Sequence, residues 1–163
     1  MRGARLIVLV TAALALSWTP AVAQRHGGSA FIQGPIEAGL RAGRDFENHA
    51  WSVGGQIRLP VADRVHLQPS ADVFLPRHDK AGWQANGDAA IDFGPGKTVY
   101  GGGGIAFVHF AGDKTRTGYN LFFGLIPSQP DAAWKPFAEF RWTFVHDTSP
   151  FRLAVGFNRR LGG

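Results

Sequence analysis

The sequence predicts an all-β protein, an eight-stranded antiparallel up-and-down transmembrane β-barrel after a cleaved signal peptide. Three observations carry this. Segments of about 10 to 13 residues alternate apolar and polar side chains, and alternation with a period of two puts the two sets on opposite faces of a strand. The 163 residues include 22 Gly and 13 Phe but one Met, a bias towards turns and pleated surfaces. The amino terminus reads as a secretory leader.

That leader comes first. Arg2 and Arg5 open it, Leu6 to Leu16 form an apolar run, and Ala21-Val22-Ala23 is a small-x-small cleavage site. The alternative, a membrane-anchoring helix, needs roughly 20 apolar residues, whereas Ser17 and Thr19-Pro20 interrupt this run. The expected division is a signal peptide over 1–23 and a single barrel domain over 24–163. No second apolar stretch of that length follows, so a membrane-spanning mature chain has to cross with strands.

The strands are expected in order as follows. Ser29 to Arg41 sets Ile32, Ile36, Ala38 and Leu40 against Gln33, Pro35, Glu37 and Arg41, and a charged link covers Arg44 to Asn48. Ala50 to Leu59 is the second strand, and Pro60 to Arg64 its turn. Val65 to Leu75 sets Val65, Leu67, Ala71, Val73 and Leu75 against His66, Gln68, Ser70 and Asp72. Trp83 to Phe93 is the fourth, closed by Gly94-Pro95-Gly96. Thr98 to Phe110 contains four consecutive glycines, Gly101 to Gly104, which leave its faces undefined. Thr117 to Ile126, Trp134 to Val145 and Phe151 to Leu161 complete the set.

Alternation alone does not say whether the apolar face meets a core or lipid. Charge placement does. All four lysines, Lys80, Lys97, Lys114 and Lys135, fall in connections or at strand ends, whereas a soluble barrel would scatter lysine along its wet face. The mid-strand charges are Arg41, Arg58, Arg141 and Arg152 against Glu37, Asp72, Asp88, Asp92 and Glu139, and all nine lie on the polar face. Eight strands enclose an interior only wide enough for side chains, so these charges are expected to fill it as ion pairs. Trp51, Trp83, Tyr119 and Phe151 start strands at one rim, where Phe110, Trp142 and Phe144 end theirs. Phe93, Trp134 and Phe157 lie towards the other rim, giving two aromatic girdles.

Several chemistries are set aside. Loss of Arg2 and Arg5 lowers the formal charge from +5 to +3, and the remaining arginines are scattered, so no nucleic-acid partner is expected. There is no cysteine, hence no disulfide or thiol chemistry. Gly94 to Thr98, GPGKT, resembles the end of a phosphate loop, but Ile91 occupies the required leading glycine and no helical pattern follows; it reads as a turn. Neither a catalytic set nor a cofactor site is found. His49, His78, His109 and His146 lie in or beside the four links of one rim, near Asp45, Asp79, Asp113 and Asp147. Such a ring could hold a divalent metal, but polar links are rich in these residues in any case, and no metal site is assigned.

The hairpin phrase IRLPVADRVHLQPSADVFL and the closing strand FRLAVGFNRRL resemble the small eight-stranded outer-membrane β-barrel family, the group of the OmpA-type transmembrane domain and its OmpX-like relatives. The resemblance spans Ser29 to Leu161. It implies a bacterial outer-membrane location, surrounding outer-membrane lipid, insertion by the barrel-assembly machinery, and a structural, surface-interaction or adhesion role without enzymatic activity. Family members usually end on an aromatic residue, whereas here Phe157 is the last aromatic before Leu161-Gly162-Gly163; no peptidoglycan-binding domain is expected after the barrel. A narrow pore is the variant reading. A secreted lipocalin-like barrel with an apolar ligand is the alternative, although its Gly-x-Trp near the first strand is missing.

Overall fold

The computed structural model describes residues 31–75, 82–110, 114–127, 132–146 and 148–161. The expected signal peptide, His78, Asp79, Lys80, Asp113, Asp147 and the Phe110 side chain lie outside the described residues. Nine strand segments make eight crossings: β1 (Ile36–Asp45), β2 (Ala50–Pro60), β3 (Val65–Leu67) with β4 (Ser70–Leu75), β5 (Gly82–Phe93), β6 (Val99–Phe110), β7 (Arg116–Leu125), β8 (Trp134–Phe144) and β9 (Phe151–Leu161). Each pairs antiparallel with its chain neighbours, and β1 also pairs with β9 from Ile36↔Leu161 to Asp45↔Arg152. The sheet is closed. Among the described residues no edge strand is left to seek a partner.

Two elements differ from the sequence expectation. The first strand starts at Ile36, not Ser29, because Gly34-Pro35 stands before it and proline has no N–H to give a ladder. Upstream, Gln33 N still donates to Pro60 O at 2.8 Å. The same strand runs on to Asp45, so the link is 46–49 rather than Arg44 to Asn48. The Asp45 carboxylate sets it, accepting from Asn48 N at 2.8 Å and Asn48 Nδ2 at 3.1 Å. The third crossing is broken at Gln68-Pro69. It stays in the sheet because Gln68 N donates to Asp88 O at 2.8 Å and Pro69 O accepts from Ile57 N at 2.9 Å.

The faces are the reverse of a soluble domain's. Buried side chains include Arg41, Asp72, Asp88, Glu139, Arg141 and Arg152, while Leu40, Trp51, Ile57, Leu121, Trp134 and Phe157 are exposed. Among the described residues, 24 large hydrophobic side chains are exposed, more than a water-soluble surface tolerates in one continuous face. All nine mid-strand charges point inwards as expected; Asp92 is the least covered of them. The four-glycine strand, whose faces were undefined, sends Tyr100, Ala106 and Val108 inwards and Ile105 and Phe107 outwards. A lipocalin-like barrel needs the opposite arrangement, an apolar lumen in a wet wall.

Cation–π contacts mark both rims of the outer face. The Arg44 guanidinium lies 5.1 Å from the Trp51 ring at the β1–β2 end, and Arg159 lies 5.4 Å from Trp134 at the other. Trp142 packs on Phe151 at 4.9 Å beside Phe46. These are the two aromatic girdles the sequence anticipates.

Candidate functional site: the charged lumen

One hydrogen-bonded network lines the lumen, and every crossing contributes to it. Arg41 on β1 makes a bidentate pair with Asp72 on β4, Nε to Oδ1 at 2.8 Å and Nη2 to Oδ2 at 2.6 Å. Its Nη2 also donates to Ser70 Oγ at 2.9 Å, and its Nη1 to Gln56 Oε1 on β2 at 3.2 Å. Arg141 on β8 donates to Asp88 Oδ2 at 2.6 Å and to Glu139 Oε1 at 3.0 Å. Glu139 Oε2 in turn accepts from Gln68 at 2.9 Å and from the Tyr100 hydroxyl on β6 at 3.1 Å. Arg152 on β9 lies 3.0 Å from Asp72, and Asn120 on β7 donates to Asp88 at 3.0 Å.

Three arginines thus meet three carboxylates within the barrel. Each of these six is no more than 4 % exposed, so an unmatched member would carry the full desolvation cost of a buried charge. Amides and hydroxyls extend the layer. Gln84 donates to Asn86 at 2.7 Å and to Thr143 at 3.1 Å, and Asn86 donates to Ser70 at 3.0 Å.

Beside the charges sits an apolar layer of Tyr100, Phe122, Phe137, Ala90 and Ile126. Glycines on the adjoining strands make room for its rings. A Cβ on Gly102 would come within 2.7 Å of Phe122 Cζ, and one on Gly156 within 2.8 Å of the Phe137 ring. A Cβ on Gly124 would clash with Cζ, Cε1 and Oη of Tyr100, itself 1 % exposed and held by Glu139. Gly124→Ala is therefore expected to cost about 1–3 kcal/mol through overpacking. The loss should shrink when Tyr100→Ala is made in the same chain, as urea unfolding of the four combinations would report.

The three described rim histidines lie apart, each in or beside a different link. His109 stacks on Trp83 at 5.6 Å and its Nδ1 lies 3.2 Å from Thr115 Oγ1; His49 occupies a turn position with φ 50°, and His146 is exposed in another link. Among the described residues no three His, Asp or Glu side chains converge as a metal-binding group.

No family model matches the chain, and no curated protein does. Solved structures do. The N-terminal β-barrel domain of Pseudomonas aeruginosa OprF superposes with a TM-score of 0.67 at 21 % identity, covering 79 % of this chain and 98 % of that one. The fold is that of an OmpA-type small outer-membrane barrel. Neisserial surface protein A matches such a barrel at TM-score 0.58 and 13 % identity, over 77 % of this chain and 94 % of that one. De novo designed transmembrane β-barrels match it at 0.54 and 11 %, over 80 % and 99 %. Identities this low make the likeness one of fold. The lumen holds the nine charges that alternation places on the polar face, and it also holds Tyr100, which alternation does not place. Four glycines, Gly101 to Gly104, follow it, so no alternation of side chains runs on from it.

Proposed function

We propose that this chain is a non-catalytic structural barrel of the bacterial outer membrane, held by lipid on its apolar face and closed along its axis by the lumen network. One observation carries the reading: each of the eight crossings sends a polar side chain into a single layer in which three arginines are matched by three carboxylates. Such pairing supports a plug over a conduit, since a passing ion has to break matched pairs in a low-dielectric interior. The alternating face of exposed Leu, Val, Phe and Trp supports lipid contact, and the closed antiparallel topology supports insertion by the barrel-assembly machinery.

Of the structural, surface-interaction and adhesion roles, the structural one fits best. With both described ends of the chain at the 61–64 end, the links meeting the exterior are 46–49, 76–81, 111–115 and 145–150, none longer than six residues. Links that short offer a partner little area.

Membrane fractionation, a heat-modifiability gel and planar-bilayer recording test this together. The expected result is a membrane-bound protein whose mobility shifts on boiling and which gives no steady current. Recovery as a soluble periplasmic protein would reject the membrane reading; regular single-channel steps would reject the plug.

A further inference from the structure

Alternation turns nearly all the charged side chains of the strands towards the lumen. Among the described residues two are turned the other way, Arg44 on β1 and Arg159 on β9. Both are cations. No carboxylate accompanies them on the outward face of a described strand.

Arg44 has two acids close to it in the chain, and neither meets it. Asp45 points into the barrel end and holds the 46–49 link through Asn48 N at 2.8 Å and Asn48 Nδ2 at 3.1 Å. Glu47 accepts from Thr148 Oγ1 at 2.5 Å. Arg44 lies instead over Trp51, its cross-strand partner on β2, with Cζ 5.1 Å from the ring centroid. Among the described residues it makes no ion pair and no side-chain hydrogen bond. A cation–π contact uses the charge of a guanidinium and not its N–H groups. Arg44 therefore keeps a fork of donors for an acceptor outside the chain.

The surroundings decide what kind of acceptor fits. Beyond Arg44 along β1, Phe46 stacks on Phe151 at 5.5 Å, so the guanidinium stands among aromatic rings at the rim. Towards mid-membrane the next outward residue is Ala42, set low between Val53 on β2 and Val155 on β9. Gly55, diagonal to Ala42 on β2, adds no side chain, and a Cβ there would meet Gly39 O alone, at 3.4 Å. A shallow apolar furrow thus leads away from the cation. An anion that brings a hydrocarbon chain uses both parts, whereas an inorganic ion uses one. A headgroup with its own ammonium would want a carboxylate beside it, which the outward face of the described strands does not offer.

We propose that Arg44 and Trp51 form a binding site for the phosphate of an anionic lipid, one whose headgroup carries no cation, at the rim of the 46–49 link. Arg44 pairs with the phosphate oxygens, Trp51 keeps the guanidinium at headgroup level, and an acyl chain lies over Ala42. Between headgroups and hydrocarbon the medium is less polar than water, which strengthens such a charge-assisted pair. The site rests on the lipid contact proposed above and adds the class of lipid that the barrel retains. A barrel that fractionates with membranes but shows no such lipid preference would lose the site and keep the lipid contact.

NMR of the folded barrel in nonionic maltoside micelles, titrated with phosphatidylglycerol, tests the site through the Arg44 Nε–H and Trp51 indole N–H signals. Both are expected to shift and saturate, with phosphatidylcholine of the same acyl chains binding about fivefold more weakly. Arg44→Gln should abolish the Trp51 shift. A shift caused only by charging the micelle would persist in that variant. Arg44 faces away from the lumen network, so the variant is expected to fold, which the boiling-dependent mobility shift checks. Should it not fold, Arg44→Lys carries the test, because it keeps the charge, loses the planar fork and is expected to bind several-fold more weakly. No saturable shift, equal affinity for the two lipids, or unchanged binding in the variant that folds overturns the proposal. So does equal affinity for inorganic phosphate, which would make the site one for a free ion.

Discussion

Replacing Arg141 with methionine is expected to destabilise the folded barrel by about 3–5 kcal/mol, the typical cost of removing one partner from a buried ion pair. The guanidinium is 1 % exposed, bonded to Asp88 and Glu139, and lies 4.6 Å over the Phe122 ring. Its loss leaves two carboxylates without their strongest partner. Asp88 keeps Asn120, and Glu139 keeps Gln68, Tyr100 and a 3.4 Å contact to Arg41. Those partners are neutral or already shared. Urea unfolding in lipid vesicles, read by the boiling-dependent mobility shift, measures the loss. Adding Asp88→Leu should recover part of it, because the second change removes one stranded charge. A single variant as stable as the parent would mean that water reaches the layer freely, which would also undo the plug.

The second large effect is expected on the opposite face. Leu40 is 74 % exposed near the middle of β1, between Gly55 on β2 and Phe157 on β9. In water, an arginine at so open a site would cost within about 0.5 kcal/mol of nothing. In a bilayer it should cost about 2–4 kcal/mol at mid-depth. Leu40→Arg therefore separates the two solvents with one substitution. The expected result is a loss in that range in vesicles, together with a smaller one for an arginine at Leu161, nearer the rim. Equal, negligible costs at both positions would contradict lipid on this face.

Much of this was readable from the residues, for a definite physical reason. A strand's period of two does not depend on context, so Glu139 and Arg141 had to share a face with Phe137, and Trp134 and Trp142 had to share the other. What a period does not carry is distance. Nothing local pairs Arg41 with Asp72, 31 residues on, or Arg141 with Asp88, 53 residues back; those choices are made by register and by closure of the ring. Nor does alternation survive where side chains vanish. Gly101 to Gly104 hid the inward direction of Tyr100, and with it the apolar layer under the charges. Proline supplied the remaining misreading, since the alternating Ile32-Gln33 pattern runs through Pro35 in sequence but not as a ladder. A cavity at the 61–64 end is likewise invisible to a period, because turns and strand ends from around the ring assemble it.

The pairing of β1 with β9 has a temporal consequence. Ile36 waits for Leu161, the last described residue of the chain, before its outer hydrogen bonds are made. Until then the growing sheet has two bare margins and an apolar side with nothing to cover it. Contacts of such long sequence separation make for slow folding, and unpaired margins invite pairing with other chains. A chain still lacking its final strand therefore exposes both margins at once. A chain cut before Phe151 should accumulate as aggregate, not as a smaller barrel.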